Sequence, residues 1–430
     1  MSMPANLHFG PGESTRMGHV PMRNDFEAAA RSSDCDLKQK LPMREWLLLT
    51  AISLLTMGLL LAGTELTARR WFSNSKSLLA NCMVLNDPST GPRAIANCAC
   101  SEKIPESPLT EYTFNSCGHR AGIECGPKPP GIYRIVMTGS SFPLGELVAQ
   151  ERTFAALLPP LLSQKTGRRI EVYNESMAWG FSHSVSLHFN QVLAAQPDLI
   201  LWVVTPGDIQ AASVIVHDSA AYKAERSLNL LGRAWLHAKE SFESNSTANA
   251  LSQVFGRTRS AIMLRHYLFQ SQSQFVRSYL MSGDGVMGFL RAEPRADWKE
   301  SLRNFDADAA DVETRARAAG LPFVAMLAPN QAQVAMISMG KWPAGFDPYK
   351  LDSEVRSIIE SHGGIYLSIL PDYRSIPNPE QGFFPVDGHP NPEGHALIAS
   401  LLAKELTSGA VPALKARSTM QSKQAKGDDR

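Results

Sequence analysis

The sequence predicts an α/β domain with a parallel sheet, preceded by one transmembrane helix. Short apolar runs alternate with segments of helical apolar spacing from about residue 132 to residue 406, which is the pattern of successive βα units. The run at 198–204 is apolar almost throughout, as a strand in a sheet covered on both faces requires. Upstream, residues 46–64 contain no charged side chain, and that length is close to what a helix needs to cross a bilayer.

Length and composition limit the classes of function. A chain of 430 residues allows two or three folded units, and its 44% hydrophobic content supports a substantial core. The formal net charge of +1 gives no electrostatic basis for binding nucleic acid. The sequence has neither a phosphate-binding nor a dinucleotide-binding glycine motif, and no cysteine and histidine set has zinc-ligand spacing. No metal and no organic cofactor is therefore expected.

The two ends of the chain are predicted to lie outside the folded domain. Residues 1–45 are polar without a lasting period, and residues 409–430 are basic and rich in small polar side chains, so both are expected to be disordered tails. Residues 46–66 are predicted to be an uncleaved signal anchor, because the apolar stretch is too long for a secretory signal peptide. A buried core helix is the alternative. Basic residues on the two sides are nearly balanced, so charge gives little orientation.

The cysteines indicate the compartment. Five of the six follow the apolar stretch, within the otherwise loop-like, proline- and glycine-rich lead-in at 67–130, and only Cys35 precedes it. Such clustering is typical of disulfides and hence of an oxidising compartment, which predicts a periplasmic or extracellular C-terminal domain in a single-pass membrane protein. The expected pairs are Cys117 with Cys125, and Cys82 with either Cys98 or Cys100. Five unpaired thiols in a reducing compartment are the alternative.

A serine turn follows the first strand of the predicted domain, which spans 131–408. The apolar run at 135–137 ends at Gly139, and Ser140 and Ser141 come next, followed by Pro143 and Gly145. A strand that ends in such a turn presents a serine hydroxyl at the C-terminal edge of a parallel sheet. α/β enzymes keep their nucleophiles at this edge. An ordinary βα loop is the alternative.

The rest of the domain is predicted to alternate strands and helices around one insertion. The predicted strands lie at 169–173, 198–204, 322–327 and 365–370, and the predicted helices at 153–163, about 181–192, 298–319, 353–362 and 392–406. A proline pair at 159–160 is expected to interrupt the first helix. Residues 210–297 are predicted to be a helical insertion over the strand ends, with packing against the sheet favoured over a lid or a membrane-facing surface.

The last loop of the domain carries the other half of a catalytic pattern. Asp387 and His389 are two positions apart, so in an extended backbone their side chains leave on the same side and the carboxylate can hold the imidazole. Asn391 and Pro392 then read as the N-cap and first residue of a helix. An aspartate-held histidine is the general-base half of a Ser-His-Asp device. Each motif alone is more often structural, but the serine turn and this loop together are fairly specific.

With these motifs in order, residues 131–406 resemble the SGNH (GDSL-like) hydrolase family. The resemblance implies a flavodoxin-like three-layer α/β sandwich. It makes Ser141 the nucleophile, with His389 as the base and Asp387 as its partner. It also implies that the oxyanion is held by backbone N–H groups of Ser141 and Gly180, the glycine in the segment EVYNESMAWGFS.

The sequence also departs from the family pattern. Ser140 stands where an acid usually precedes the nucleophile, and Gly207 replaces the asparagine whose side chain is the third oxyanion donor. Loss of one such donor costs roughly a hundredfold to a thousandfold in turnover. Asp208 is a candidate replacement or a helix cap, and Asn330, after the strand at 322–327, is a further candidate polar group of the site. The family's Asp-x-x-His spacing is shortened by one residue at Asp387.

The resemblance implies a serine esterase that acts on acyl esters, most simply acetyl esters, of carbohydrate or lipid at the cell envelope. Its predicted partners are such a substrate and the membrane through residues 46–66, and the sequence does not identify any protein partner. Three alternatives remain open. One is an O-acyltransferase acting on exported polysaccharide, because water and an acceptor hydroxyl compete for the same acyl-enzyme. Another is an inactive SGNH fold that binds glycan or a partner protein, because a fold alone does not deliver a function. The third, based on the insertion and the membrane anchor, is a lipid esterase or thioesterase with a helical lid.

Overall fold

The computed structural model describes residues 43–73, 78–87, 89–210, 258–280 and 287–416. The predicted tails therefore lie mostly outside the described residues, as do residues 211–257 and 281–286 of the predicted insertion. Among these described residues, those up to Leu61 and those from Ala62 onward belong to two separate units. Val411 and Leu414 are buried in the main core, so the folded domain continues past residue 408, where the predicted C-terminal tail begins.

The first helix, α1 (Met43–Trp71), has 29 residues and extends the predicted span in both directions. Among the described helices it is the one long and apolar enough to cross a membrane, judged by length and composition. Nearly all its side chains are exposed, including the leucines of its apolar stretch. A helix that is apolar all round and exposed suits a lipid environment better than water.

Five parallel strands form the central sheet. In chain order they are β5 (Tyr133–Gly139), β6 (Ile170–Asn174), β7 (Leu199–Val204), β8 (Phe323–Leu327) and β9 (Ile365–Leu367). Their spatial order is β6-β5-β7-β8-β9, and every neighbouring pair is parallel. The chain thus starts inside the sheet, adds one strand on one side and then grows on the other, which is the flavodoxin-like order. The predicted fold class is confirmed.

Two groups of helices flank the sheet. In chain order, the helices after α1 that the structure describes are α2 (Ser141–Leu144), α3 (Phe154–Thr166), α4 (Ser182–Ala194), α5 (Arg259–Leu268), α6 (Gln272–Leu280), α7 (Ala296–Ala318), α8 (Gln331–Met339), α9 (Lys350–Ser361) and α10 (Pro392–Thr407). α3 packs against α10, whereas α7 packs against both α4 and α9. All six residues of β7 are buried, as its apolar sequence predicts for a strand covered on both faces.

The proline pair does not interrupt α3, contrary to the sequence-based expectation. The helix runs through Pro159 and Pro160 to Thr166. Pro160 is exposed, and the carbonyl of Ala156 that it leaves without an N–H partner can be hydrated because Ala156 is only half-buried, whereas Pro159 does the same to the buried Ala155. Phe154, Leu158 and Leu162 form a buried stripe along one side, and this packing holds the helix in place.

The cysteine-rich lead-in is more regular than the loop-like sequence suggests. It forms two antiparallel hairpins, β1 (Met83–Asp87) with β2 (Gly91–Ala94), and β3 (Ala99–Glu102) with β4 (Thr110–Thr113). Strands of four or five residues between prolines and glycines are too short to give a recognisable period. The expected disulfides are present as Cys82–Cys98 and Cys117–Cys125, and Cys100 is a free thiol.

The first disulfide is expected to contribute substantially to stability. Cys82 and Cys98 are 16 positions apart. Cross-linking a loop of this size lowers the entropy of the unfolded chain, so replacing both cysteines by serine should reduce the free energy of unfolding by about 3 kcal/mol. Guanidinium unfolding in detergent, followed by tryptophan fluorescence, measures this. Cys100→Ser is the matched control and should change the midpoint little; an equal loss in that variant would contradict the assignment.

Candidate active site

The serine turn depends on a glycine at the end of β5. Gly139 has φ of +150°, and a Cβ there would lie 2.3 Å from the carbonyl oxygen of Val203 on the neighbouring strand. A side chain is therefore excluded, and the backbone turns at once into α2 with Ser141 as its first residue. The nucleophile candidate thus lies at the C-terminal edge of the central sheet, as the sequence predicts.

A buried arginine from the lead-in holds the loop that follows Ser141. Arg120 is fully buried, and its guanidinium donates to the carbonyl oxygens of Leu144 (3.1 Å), Gly145 (2.6 Å) and Val148 (2.8 Å). It also lies 4.5 Å from the ring centre of Tyr112. Burial lowers the pKa of Arg120 to about 10, so the group stays charged at neutral pH.

His389 and Asp387 come to the same edge from the other end of the domain. His389 Nε2 lies 2.8 Å from Ser141 Oγ, and His389 Nδ1 lies 2.6 Å from Asp387 Oδ1. The backbone between them is a tight turn and not the extended segment expected from the sequence, because Gly388 has φ of +91°. The turn closes through a hydrogen bond from Gly388 N to Phe384 O. The Asp387 carboxylate still reaches the imidazole because the turn brings Asp387 Oδ1 back toward His389, whose backbone N–H donates to it at 3.1 Å.

Helix α10 fixes the histidine loop against α3. Asn391 caps α10 by accepting a hydrogen bond from Gly394 N, with Pro392 at the first helical position, as predicted. His395, one turn later and fully buried, accepts from Phe154 N at 3.1 Å and stacks on the Phe154 ring. Burial lowers the pKa of His395 to about 3, so it is neutral and structural. Sequence reasoning did not identify this anchor.

Three carboxyl groups surround the imidazole of His389. Besides Asp387, Glu146 Oε2 lies 3.9 Å from Nε2, and Glu102 acts from farther away. Burial by itself lowers the pKa of His389, but the hydrogen bond to Asp387 and the charges of Glu146, Asp387 and Glu102 together raise it to about 8. Burial also raises the pKa of Glu146, and that of Glu102 to about 7. Glu146 is a second group that sequence reasoning missed.

The predicted oxyanion glycine lies against the serine turn. Met177 N donates a hydrogen bond to Gly139 O. Gly180 lies close to the same carbonyl oxygen, because a Cβ built on Gly180 would be 3.6 Å from it. The N–H of Gly180 is directed at Met177 O, over a long 3.3 Å. Trp179, just before it, is 45% exposed and has φ of +57°, which is unusual for a bulky side chain.

The other predicted polar residues are engaged at helix starts. Asp208 is buried and accepts from Thr205 N at 2.8 Å, while its own N–H donates to Thr205 Oγ1, so Thr205 caps the helical turn after β7 and Asp208 completes a reciprocal capping box. Burial raises the pKa of Asp208 to about 6. Asn330 caps α8 by accepting from Ala332 N at 2.8 Å. Gly207 is exposed and has no side chain to donate.

Comparison with known proteins finds similar folds among esterases and acylhydrolases. The acetylxylan esterase Axe2 from Geobacillus stearothermophilus is 10% identical, with a TM-score of 0.34 over 64% of this chain and 94% of that one. The lipase/acylhydrolase from Enterococcus faecalis is 11% identical, with a TM-score of 0.31 over 64% of this chain and 94% of that one. No protein-family model and no curated protein sequence matches the chain. The likeness is distant, and the fold assignment rests on the strand order and parallel pairing described above.

Proposed function

We propose that the domain is a serine esterase or acylhydrolase of the SGNH type. One observation carries the proposal: a continuous line of contacts runs from Asp387 Oδ1 through the His389 ring to Ser141 Oγ, with distances of 2.6 and 2.8 Å. The side chains of His389 and Asp387 remain partly accessible to solvent, since they are 21% and 28% exposed. A nucleophile, a base in contact with it and a group that orients the base are the parts that acyl transfer needs.

The reaction follows from this geometry. Ser141 Oγ attacks the ester carbonyl carbon while its proton passes to His389 Nε2, and Asp387 stabilises the resulting imidazolium from the Nδ1 side. When the tetrahedral intermediate collapses, Nε2 returns the proton to the departing alcohol and an acyl-Ser141 ester remains. Water, or an acceptor hydroxyl, then attacks that ester with His389 again taking the proton. Nε2 returns the proton to Ser141 Oγ as the acyl–Oγ bond breaks and the acid or the new ester leaves. The same three residues serve hydrolysis and transfer.

The oxyanion site has fewer donors than the family pattern. Ser141 N is the first N–H of α2 and has no acceptor within its own helix. Gly180 N must turn from Met177 O to contribute, which its long hydrogen bond permits. Gly207 supplies no side chain, so we expect turnover roughly a hundredfold to a thousandfold below that of a site with three donors. These same features favour the alternative of an inactive glycan- or protein-binding domain.

The proposed substrate is an acyl ester of carbohydrate or lipid at the cell envelope. Two disulfides in the lead-in support an oxidising compartment for the domain, and α1 supports attachment to a membrane. The exposed indole of Trp179 is next in sequence to Gly180 and offers a flat apolar surface to a sugar ring or an acyl chain. Acetyl groups on exported polysaccharide fit this setting.

Labelling with a fluorophosphonate probe tests the nucleophile. The full-length protein in detergent should be labelled, Ser141→Ala should not, and His389→Ala should react at least about 10⁴-fold more slowly because the base is lost. Ser140→Ala removes the neighbouring hydroxyl, which is buried, and should keep its labelling. Absence of labelling in a well-folded wild-type protein would contradict the proposal of an enzyme and favour a binding role.

The pH dependence of esterase activity tests the base. Because the pKa of His389 is raised to about 8, the imidazole is mostly protonated at pH 7 and cannot accept the serine proton. The kcat/KM for p-nitrophenyl acetate should therefore rise with pH and level off only above about pH 8. Glu146→Gln removes one of the charges that favour the imidazolium, so the acid limb should move to lower pH.

The matched control for that shift is Glu405→Gln, which removes a carboxylate at the far end of α10, next to Lys404. Its acid limb should coincide with that of the wild type. A wild-type limb at or below the ordinary histidine pKa, or a Glu146→Gln limb that does not move, would contradict the account.

A further inference from the structure

A buried carboxylate from the lead-in lies directly behind the catalytic loop. Glu106, between β3 and β4, has a side chain only 2% exposed. Its Oε2 accepts hydrogen bonds from Val386 N and Asp387 N, both at 3.0 Å. Its Oε1 lies 2.7 Å from His266 Nδ1 on α5. The carboxylate therefore joins the backbone of the proposed catalytic aspartate to a helix of the predicted insertion.

The two N–H groups held by Glu106 are consecutive, and the second belongs to Asp387 itself. The turn they form is the one in which Gly388 adopts its left-handed conformation and Asp387 reaches back to His389. A side chain that fixes both N–H groups limits the rotation of this turn, and thus sets where the Asp387 carboxylate lies relative to the ring. The hydrogen bonds of Glu106 go to these two N–H groups and to His266, and none of those described joins it to Ser141 or to the His389 ring.

Helix α5 is anchored at both ends. At its start, the carboxylate of Glu65, near the end of α1, accepts from Arg259 N (3.1 Å), Ser260 N (3.0 Å) and Ser260 Oγ (2.8 Å). In its last turn, His266 contacts Glu106 and packs edge-on against the ring of Phe72, just after α1. The helix therefore connects the end of the apolar helix to the support of the catalytic loop.

We propose that Glu106 is a positioning residue for the Asp387–His389 pair, and that α5, held between Glu65 and Glu106, keeps it in place. This inference rests on the proposed function only in giving Asp387 a catalytic role. The nucleophile and base come from the α/β domain, whereas their support comes from the lead-in and the insertion. Docking of α5 beside the end of α1 is then a condition for full activity.

The test compares variants of the full-length protein in detergent with two readouts. One is kcat and KM for p-nitrophenyl acetate, and the other is the downfield proton NMR signal of His389 Nδ1–H, which needs no substrate. Glu106→Ala should lower kcat about tenfold to a hundredfold, as loss of alignment does, with KM little changed. The NMR signal should broaden or disappear. Glu106→Gln keeps an acceptor for the N–H groups and should restore part of both, which also guards against misfolding of the alanine variant.

His266→Ala and Glu65→Ala should each reduce kcat in the same direction by a smaller factor, because Glu106 remains but α5 is less firmly held. Combining His266→Ala with Glu106→Ala should add little to the loss from Glu106→Ala alone, since both act through one carboxylate. The matched control is another histidine–carboxylate pair, Asp306 with His362, which joins α7 to the end of α9. Asp306→Ala should leave kcat and the Nδ1 signal unchanged.

Two results would overturn the inference: a Glu106→Ala protein with wild-type kcat and an unchanged Nδ1 signal, or an Asp306→Ala protein that loses both to the same extent. Failure of the proposed function looks different. In that case the wild-type protein does not hydrolyse the ester, yet the Nδ1 signal is present and is lost in Glu106→Ala. That pattern would support the positioning role and remove only the esterase assignment.

Discussion

The contact between Ser141 Oγ and His389 Nε2 joins residues 248 positions apart, and much of the fold contributes to holding them at 2.8 Å. The serine is positioned by the C-terminal end of β5, where Gly139 packs closely against the backbone of the neighbouring strand. The histidine is fixed by α10, where His395 accepts a hydrogen bond from Phe154 N at the start of α3. Because α3 and α10 pack together, the two ends of the domain are brought to one edge of the sheet.

The segments outside the α/β repeat have a structural part in this site. Arg120 of the lead-in carries the charge that holds the loop after Ser141, and Glu106 of the same segment holds the loop of Asp387. The buried Arg120 cation donates hydrogen bonds to carbonyl oxygens, and the buried Glu106 anion accepts hydrogen bonds from N–H groups. Each charge is therefore stabilised by the backbone of the loop that it supports. The disulfides restrain the segment that supplies both.

The sequence predicts this protein best where a signal is local. Continuous apolar runs such as that of β7 predict buried strands, and the Asn391–Pro392 start of α10 is a local capping pattern. The proline pair misleads because packing of the α3 stripe outweighs a local propensity. Glu106 and His395 escape prediction because their partners lie 281 and 241 positions away, and no period or spacing carries that information.

In the mechanism proposed above, Ser141 becomes acylated with the help of His389. The most direct measurement is to mix the protein with excess p-nitrophenyl acetate, quench with acid within one turnover, and map the tryptic peptides by mass spectrometry. We expect an acetyl group on Ser141 in the peptide 135–152 of the wild-type protein, and none at that position in His389→Ala under the same conditions. Release of p-nitrophenol without acetylation of Ser141, or acetylation that is unaffected by loss of His389, would contradict it.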